Sequence, residues 1–279
     1  MILIGLVTWS NHPILSINRK KTTLEEYSSY FPIVEVDSLF YRFYDENIIK
    51  KWILKVPKNF KFIIKASSFM TMHKNYQIQY GSLEQVFNKF YLTIKPLILS
   101  HHFQCILMQF PPSFMMNVAN LNYLKYVSNY FNPIPIAIEF RHPSWYMKYN
   151  WNKVKQFMIS HDFINVIPDV PLNVVPRVYD STNREMTIIR LHGRNYVGWK
   201  MQQQNNWRKT RNLYCYSKQE LYDLSDHINK LSKLSKDICV IFNNNSNNDA
   251  AQNALDLKKI LKIDYKDLSP LQLNIFKNS

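Results

Sequence analysis

Short apolar stretches rich in Val and Ile alternate along the chain with longer stretches in which apolar residues recur every three or four positions. The first pattern predicts strands and the second predicts amphipathic helices. Strands are expected to begin near Ile2, Ile33, Lys61, Gln104, Ile136, Ile164, Thr187 and Asp237. The clearest helical pattern runs from Ser82 to Leu99, and a second one spans Leu221 to Leu234.

Strands that alternate with helices favour parallel pairing, and eight such units are enough to close the sheet into a barrel. We therefore predict an α/β fold of the TIM-type (β/α)8 class. In the sixth unit, residues 169–185 contain Pro171 and Pro176 and lack helical periodicity, so its helix is expected to be degenerate or missing. Residues 1–262 are predicted to form a single domain, followed by a polar C-terminal tail at 263–279.

Polar side chains follow the apolar strands on the side that alternation assigns to the barrel interior. Successive side chains of a strand point to opposite faces, so Glu35 shares a face with Asp37 and not with Val34. The polar residues expected at inward strand ends are Glu35, Asp37, Lys65, Gln109, Glu139, Arg141, Asp169, Arg190, His192 and Asn243. Because the βα loops at the carboxyl ends of the strands build barrel active sites, we predict that these residues converge into one cluster.

Five segments, in this order, resemble the motifs of one known family. They are IVEVDSLFYR at 33–42, MQFPPSF at 108–114, AIEFRHPSW at 137–145, RLHGR at 190–194 and FNN at 242–244. The chain resembles the YecE-like family, also called domain of unknown function 72, from about Ile2 to Leu261. This resemblance implies a TIM barrel and leaves the biochemical activity open. Arg42, His142, Arg194 and Asn244 lie within or beside these segments and complete our set of candidate ligand-binding residues.

The chain also departs from the motifs of the family it resembles. Thr8 stands where the family has a second glycine in the first strand motif, and Asn11 stands where it has a tyrosine. Asp37 stands where the family usually has Asn, which adds a negative charge near Glu35. We therefore expect Glu35 and Asp37 to titrate as a coupled pair.

Acid and base catalysis is one interpretation of the polar strand ends. Burial and like charges raise carboxylate pKa values, whereas a nearby ammonium keeps a carboxylate ionised, so Glu35, Lys65 and Glu139 are candidate catalytic groups. His192 is the fourth, because it precedes Gly193 and is expected to face the barrel mouth and titrate near neutrality. The alternative interpretation is an internal salt-bridge lattice without chemistry.

Arginines at strand ends favour an anionic ligand, because guanidinium groups bind carboxylates and phosphates in a bidentate way. The seventh and eighth βα loops of barrels commonly hold phosphate. In this chain those loops carry Gly193, Arg194, Asn243, Asn244 and the start of a helix near Asp249. We therefore predict a small, phosphorylated or otherwise anionic ligand, with Asp249 as a simple helix N-cap as the alternative.

A divalent metal site is a further alternative. The oxygen and nitrogen ligands for it would come from Glu35, Asp37, Glu139, His142, Asp169 and His192. No ligand spacing indicates such a site, and the interleaved arginines would repel a cation, so we favour a metal-free site over a metal-binding one.

The segment from Arg194 to Tyr216 interleaves aromatic and basic residues, which is typical of single-strand nucleic-acid binding. We prefer the interpretation that these aromatics cover the barrel mouth. The net charge of +15 does not change this preference, because 26 Lys against 9 Arg, with 29 Asn, is a composition typical of AT-rich coding.

The three cysteines are scattered and lack CxxC spacing, which favours a reducing compartment. No apolar run approaches the roughly 20 residues of a membrane span. We predict a cytoplasmic protein without a membrane partner and leave its oligomeric state open.

Three functions are compatible with these features. The first is an enzyme that acts on a phosphorylated or anionic small molecule by acid and base chemistry at the barrel mouth, with hydrolase, lyase and isomerase activity all open. The second is a metal-dependent barrel that processes or binds nucleic acid. The third is a ligand-binding barrel without catalysis.

Overall fold

The computed structural model describes residues 1–17, 21–201, 210–245 and 247–270. Its eight parallel strands pair in chain order, and the last strand closes the barrel against the first. The strands are β1 (Ile2–Val7), β2 (Ile33–Val36), β3 (Lys61–Lys65), β4 (Phe103–Gln109), β5 (Ile136–Glu139), β6 (Ile164–Asp169), β7 (Met186–Leu191) and β8 (Asp237–Phe242). Each begins within one residue of its predicted start, so the TIM-type fold is confirmed.

Helices follow most of the strands and cover the outside of the barrel. They are α1 (Leu24–Ser28), α2 (Glu46–Ile53), α3 (Gln77–Tyr80), α4 (Leu83–Leu99), α5 (Val118–Phe131), α6 (Lys148–Ser160), α7 (Tyr196–Lys200), α8 (Lys218–Leu231) and α9 (Asp249–Ile260). Short 3-10 helices lie at Pro13–Leu15, Ser38–Phe40 and Pro143–Trp145. Residues 170–185, between β6 and β7, contain no helix, which confirms the expectation for the sixth unit.

The two strongest helical patterns begin at the residues whose side chains can cap a helix. The Ser82 hydroxyl accepts a hydrogen bond from the Gln85 N–H and starts α4. Ser217 and Glu220 form a reciprocal capping box at the start of α8. Each cap satisfies backbone donors that a helix leaves unpaired at its first turn, and one cap contributes about 1 kcal/mol.

Successive side chains of each strand point to opposite sides of the sheet, and this alternation separates two apolar layers. Alternate residues such as Ile63, Leu107 and Ile188 pack with one another inside the barrel. Their neighbours, such as Ile64 and Ile189, pack against the helices. Toward the carboxyl ends of the strands, the side chains that point into the barrel are polar instead of apolar. The same alternation that builds the core therefore places the candidate site.

The first residues of the predicted tail pack against the barrel. The Tyr265 hydroxyl accepts a hydrogen bond from the Ile4 N–H at 2.8 Å and lies 3.3 Å from the Ile2 carbonyl oxygen. The Ser269 N–H donates to the carbonyl of Ser28 at the end of α1. The remainder of the predicted tail, 271–279, lies outside the described residues.

None of the helices in the described part of the chain combines the length and the apolar character that crossing a membrane requires.

Candidate functional site

Arg190 lies at the centre of the polar layer inside the barrel. Its Nε and Nη2 donate to the two carboxylate oxygens of Glu35 at 2.8 and 2.6 Å. Its Nη1 donates to the Gln109 side-chain oxygen at 3.1 Å and forms a short ion pair with Glu139. The side chains of all these residues except Gln109 are almost fully buried. A guanidinium with five donors is the side chain that can satisfy two carboxylates and an amide together.

Arg141 and His192 form a second level above Arg190. Arg141 pairs with the second oxygen of Glu139 and donates from Nη2 to His192 Nε2 at 2.8 Å. Donation to Nε2 requires the imidazole proton to sit on Nδ1, which faces the side-chain amide of Asn243 at 2.8 Å. The amide oxygen of Asn243 accepts this proton once the amide is turned accordingly.

We call the group made by these residues and Lys65 the inner cluster. It consists of Glu35, Lys65, Gln109, Glu139, Arg141, Arg190, His192 and Asn243. All eight were expected to converge from the strand ends, and the barrel brings them together.

His192 was expected to titrate near neutrality, and its surroundings in the structure contradict this expectation. Burial, together with the Arg141 guanidinium, holds the pKa of His192 well below its ordinary value. The imidazole is therefore neutral at physiological pH and acts as a hydrogen-bonding group between Arg141 and Asn243.

The two buried glutamates are held in different electrostatic states. Burial opposes ionisation of Glu139, yet Arg141 and Arg190 hold its pKa well below the usual range. For Glu35, burial raises the pKa, and the attraction of Arg190 offsets this effect only in part. Arg190 engages both oxygens of Glu35, and Arg141 and Arg190 engage one oxygen of Glu139 each, so both carboxylates are held within the ion-pair lattice.

Lys65 differs from the rest of the inner cluster. Its ammonium lies 4.7 Å from the centroid of the Phe40 ring, and in the described structure it forms neither a hydrogen bond nor an ion pair with a carboxylate. Burial lowers the pKa of Lys65 to about 8, and the like charge of Arg190 acts in the same direction. An amine in this state is partly protonated near neutral pH.

Trp199 of α7 covers the part of the barrel mouth above Arg141 and His192. Its ring centroid lies 5.1 Å from the Arg141 guanidinium carbon, and its edge meets the His192 ring at 6.3 Å. The Trp199 side chain is buried, with only 4% exposed. This geometry favours the interpretation of the segment after β7 as a cover.

The described residues of the same segment, 194–201 and 210–216, offer few stacking surfaces for nucleic acid. Trp199 and Tyr216 are buried, and the Tyr216 hydroxyl accepts a hydrogen bond from the Gly193 N–H. Tyr196 is exposed at 47%. Trp207, Arg208 and Lys209, which contribute to the aromatic and basic pattern of this segment, lie outside the described residues.

Asp169 and Arg194 do not join the inner cluster. Ile167 packs in the outer layer, so the period of two turns Asp169 away from the barrel interior as well. The Asp169 carboxylate instead accepts two hydrogen bonds from Arg194 and pairs with Arg177 at 3.1 Å. Arg194 also pairs with Glu220 of α8, so this outer ion-pair group joins β6 to the helical layer.

The polar groups that were expected to hold phosphate are engaged within the protein. Asn244 is fully buried and donates to the Tyr214 carbonyl and to Asn253 of α9. Gly193 donates to Tyr216, and Arg194 is paired with carboxylates. Within the inner cluster, Lys65 is the cation that forms no hydrogen bond or ion pair in the described structure, and it is therefore open to an anionic ligand.

Three other candidates lie apart from the inner cluster. Arg42 is exposed and lies 4.8 Å over the Tyr44 ring. The His142 Nδ1 accepts a hydrogen bond from the Ser144 N–H and caps the 3-10 helix at Pro143–Trp145. Asp37 follows β2 on the same side as Glu35, at the start of the 3-10 helix at Ser38–Phe40.

The donor set required for a metal site is not assembled. Among the described residues, no group of three or more His, Cys, Asp or Glu side chains is arranged to hold a metal ion. The physical reason is that arginines occupy the carboxylate oxygens of Glu35, Glu139 and Asp169. The predicted set with Asp37, His142 and His192 therefore does not converge.

Comparison with known proteins agrees with the barrel and its motifs. A family model described as "Protein of unknown function DUF72" matches residues 3–274, nearly the whole chain. The chain belongs to the DUF72 family. The resemblance drawn from the sequence motifs is thereby confirmed.

Relatives of this DUF72 protein cover it almost end to end. The UPF0759 protein YunF of Bacillus subtilis is 38% identical over 284 residues, which span 99% of this chain and 100% of the relative. A crystal structure of a DUF72 family protein from Enterococcus faecalis is similar with a TM-score of 0.92 and 39% identity, covering 98% of this chain and 100% of that one. A DUF72 family protein from Thermotoga maritima has a TM-score of 0.77 at 26% identity, covering 94% of this chain and 100% of that one.

Sequence reasoning missed several contributors to the site of this DUF72 protein. Phe40 lies beneath the Lys65 ammonium, and Arg177 completes the outer ion-pair group. Phe40 belongs to the motif at 33–42, and this motif is the signal from which its role could have been predicted. Arg177 lies in the helix-less segment before β7, where no periodicity indicates the direction of a side chain.

Proposed function

We propose that this DUF72 protein is an enzyme that acts on a small anionic molecule at the carboxyl end of the barrel, with Lys65 binding negative charge and transferring protons. One observation carries this assignment. Lys65 is the charged side chain of the inner cluster that lacks a hydrogen-bond or ion-pair partner in the described structure. The other charged members neutralise one another.

An amine with a pKa of about 8 suits this role for two reasons. Its protonated form attracts an anion, and the presence of both forms near neutral pH allows it to donate and to accept a proton. Protein lysines acquire such values through burial and a neighbouring cation, which here is Arg190.

The lattice around Lys65 supplies rigidity rather than additional proton carriers. Glu35 and Glu139 fix the Arg190 guanidinium, and neutral His192 bridges Arg141 and Asn243. Proton transfer at carbon, as in lyases and isomerases, requires one titrating group of this kind. Hydrolysis also requires a group that activates water, and the carboxylates of the inner cluster are engaged by arginines. We therefore place lyase or isomerase activity ahead of hydrolysis.

The alternative of a metal-dependent nucleic-acid-processing barrel receives no support from the inner cluster, because its carboxylates are bound to arginines. A ligand-binding barrel without turnover shares the geometry and differs only in the outcome of the kinetic test below. A cytoplasmic location is part of our proposal, and it is supported by three cysteines that are all free thiols.

The binding test measures the thermal shift and the calorimetric affinity of phosphate and of small phosphorylated and carboxylated metabolites. We expect binding at about pH 7 that weakens at about pH 9.5, where an amine with a pKa near 8 is neutral. Lys65→Met should lose this binding. Lys61→Met is the matched control, because Lys61 begins the same strand at the opposite end of the barrel. Anion binding that survives Lys65→Met would overturn the assignment.

The kinetic test separates an enzyme from a binding barrel. Metabolites that bind are incubated with wild-type protein and with Lys65→Arg, and products are followed by mass spectrometry. Arginine retains the positive charge but does not titrate near neutrality, so Lys65→Arg should bind the anion without turnover. Turnover that persists in Lys65→Arg would exclude Lys65 as the proton carrier, and binding without turnover in the wild type would favour the non-catalytic barrel.

A further inference from the structure

A small cavity lies beside the inner cluster, at the carboxyl ends of β1 and β2. Its volume is about 170 Å³, and its walls include Trp9, Tyr44 and Trp52. Asp37 and Thr8 also line it. None of the three aromatic residues belongs to the inner cluster, so the cavity is a separate feature of the barrel mouth.

The aromatic walls lie in different planes. The rings of Trp9 and Trp52 are 5.2 Å apart with planes inclined at 73°. Tyr44 meets Trp52 at 5.6 Å and 69°. Rings inclined in this way line the cavity in different orientations, which is also a feature of the aromatic cages that recognise alkylated ammonium ions.

Asp37 provides a negative charge at this cavity. In the part of the chain that the structure describes, its carboxylate forms no hydrogen bond or ion pair, and it does not cap the 3-10 helix that it precedes. The Lys65 ammonium interacts with it electrostatically without forming a salt bridge. A partly buried carboxylate without a direct partner gains most from a cationic ligand, because desolvation of a charge is offset by an opposite charge.

The backbone at Thr8 is held in a conformation that favours glycine. Thr8 has a φ of 58°, which is rare for a β-branched residue and occurs mainly where surrounding structure enforces it. Its N–H donates to the Glu35 carbonyl, and its carbonyl oxygen lies 3.1 Å from His12 Nε2. These contacts fix the turn that carries Trp9 into the cavity wall, so the wall is preformed.

We propose that this cavity binds the alkylated ammonium group of a small molecule, with Trp9, Tyr44 and Trp52 as the aromatic walls and Asp37 as the counter-charge. The size agrees, because an apolar cavity of about 150 Å³ accommodates benzene, and a tetramethylammonium ion is of comparable bulk. Arg42 lies over the Tyr44 ring at 4.8 Å, so this ring already takes part in a cation–π contact. A bound ammonium group therefore meets Tyr44 from another side or displaces the exposed Arg42 side chain.

This cation site stands independently of the anion-binding role of Lys65. A ligand that carries both charges would span the two sites, because Asp37 and Lys65 interact electrostatically. Lys65→Met removes a positive charge that would repel a bound cation, so the cation site of this variant should bind an ammonium ion more tightly than the wild type does. The same variant is expected to lose anion binding, which makes failure of either assignment distinguishable.

The experiment titrates the protein with tetramethylammonium chloride and follows tryptophan fluorescence, with sodium chloride at matched ionic strength as the baseline. Glucose and 3,3-dimethylbutan-1-ol serve as comparison ligands; the tert-butyl group of the latter is the neutral isostere of a trimethylammonium group. We expect saturable binding of tetramethylammonium that weakens at least about tenfold in Asp37→Asn and in Trp9→Leu. Asp223→Asn, which removes an exposed carboxylate on α8, should leave the affinity unchanged.

Two results would overturn the assignment. Equal binding of the neutral isostere or of glucose would show that the cavity recognises shape or hydroxyl groups instead of charge. Affinity for tetramethylammonium that is unchanged in Asp37→Asn, or no saturable binding by folded wild-type protein, would remove the cation site. Circular dichroism of each variant establishes that it is folded before binding is compared.

Discussion

The guanidinium of Arg190 on β7 forms two parallel hydrogen bonds with the carboxylate of Glu35 on β2, across the interior of the barrel. Both side chains are almost completely buried. A buried ion pair of this geometry contributes little net stability, because desolvation of the two charges offsets most of their attraction. Its value lies in fixing the position of Arg190, and through it the rest of the inner cluster.

Removing Arg190 should therefore be strongly destabilising. Arg190→Met leaves the Glu35 carboxylate buried without a direct counter-charge and removes one of the two arginines that pair with Glu139, so we expect the free energy of unfolding to fall by about 3–5 kcal/mol. Urea unfolding followed by circular dichroism measures the loss. Arg184, an exposed residue just before β7, provides the control, and Arg184→Met should change the free energy of unfolding by less than about 0.5 kcal/mol.

The same experiment identifies the cause of the loss. Adding Glu35→Gln to Arg190→Met removes the uncompensated charge of Glu35, while Glu139 keeps its ion pair with Arg141, so the double variant should be more stable than Arg190→Met alone. If the double variant is less stable than Arg190→Met, packing of the guanidinium rather than charge balance explains the role of Arg190.

Lys65 should reduce the stability of the folded state at neutral pH. Its pKa is lowered to about 8 by burial, so the folded state holds the proton less tightly than the unfolded chain. Lys65→Met should raise the free energy of unfolding by about 1–3 kcal/mol at neutral pH. Between about pH 8 and 10.5 the unfolded chain binds more protons, so the stability of the wild type rises and the advantage of Lys65→Met disappears.

Chemical denaturation at several pH values tests this expectation. Lys61→Met serves as the control, since the Lys61 ammonium donates to the His101 carbonyl at 2.6 Å and its removal should not stabilise the protein. A Lys65→Met protein that is less stable than the wild type at neutral pH would contradict the conclusion that Lys65 is a buried amine without a direct partner.

His12 should make the protein sensitive to mild acid. It is completely buried, and burial lowers its pKa to about 4. Between about pH 6.5 and 4 the unfolded chain binds a proton that the folded state does not, so stability falls as the pH falls through this window. From about pH 7 to 5 we expect His12 to account for about 2 kcal/mol of the loss.

The measurement compares urea unfolding of the wild type and His12→Gln at several pH values within this window. Glutamine can keep a donor near the Thr8 carbonyl and does not titrate, so the pH dependence should become shallower. It should not vanish, because the pKa of His192 is lowered in the same direction. Parallel pH profiles for the two proteins would rule out His12 as a contributor.

Gly193 should tolerate no side chain. Its φ is +87°, and a Cβ atom placed on it would lie 2.5 Å from the Tyr214 Cβ. Gly193→Ala should destabilise the protein by about 2–4 kcal/mol, through backbone strain and displacement of Tyr214. Gly81 has a comparable φ of +70°, but a Cβ atom there would meet only the Gln85 side-chain oxygen at an ordinary 3.8 Å, so Gly81→Ala should cost only about 1 kcal/mol in thermal or urea unfolding. Equal losses in the two variants would show that strain alone acts at Gly193.

The order of strands and helices could be predicted from the sequence because both are local properties. The eight strand starts, the cap at Ser82 and the missing sixth helix follow from periodicity and proline positions within a few residues of chain. The period of two also placed Glu35, Glu139 and Arg190 inside the barrel correctly, because alternation along a strand needs no knowledge of its neighbours.

The partners of each polar group, in contrast, were decided by the tertiary structure. The alternation in β6 turned Asp169 outward to Arg194 and Arg177, residues that come from separate loops. The pKa of His192 was misjudged because it depends on Arg141 and on burial beneath Trp199.

The sequence by itself thus determined which residues lie at the barrel mouth, because the alternation of a strand depends only on consecutive residues. It did not determine that Lys65 and Asp37 lack direct partners in the described structure while their neighbours are paired. Pairing depends on distances between side chains from different strands, and these distances exist only once the barrel has closed.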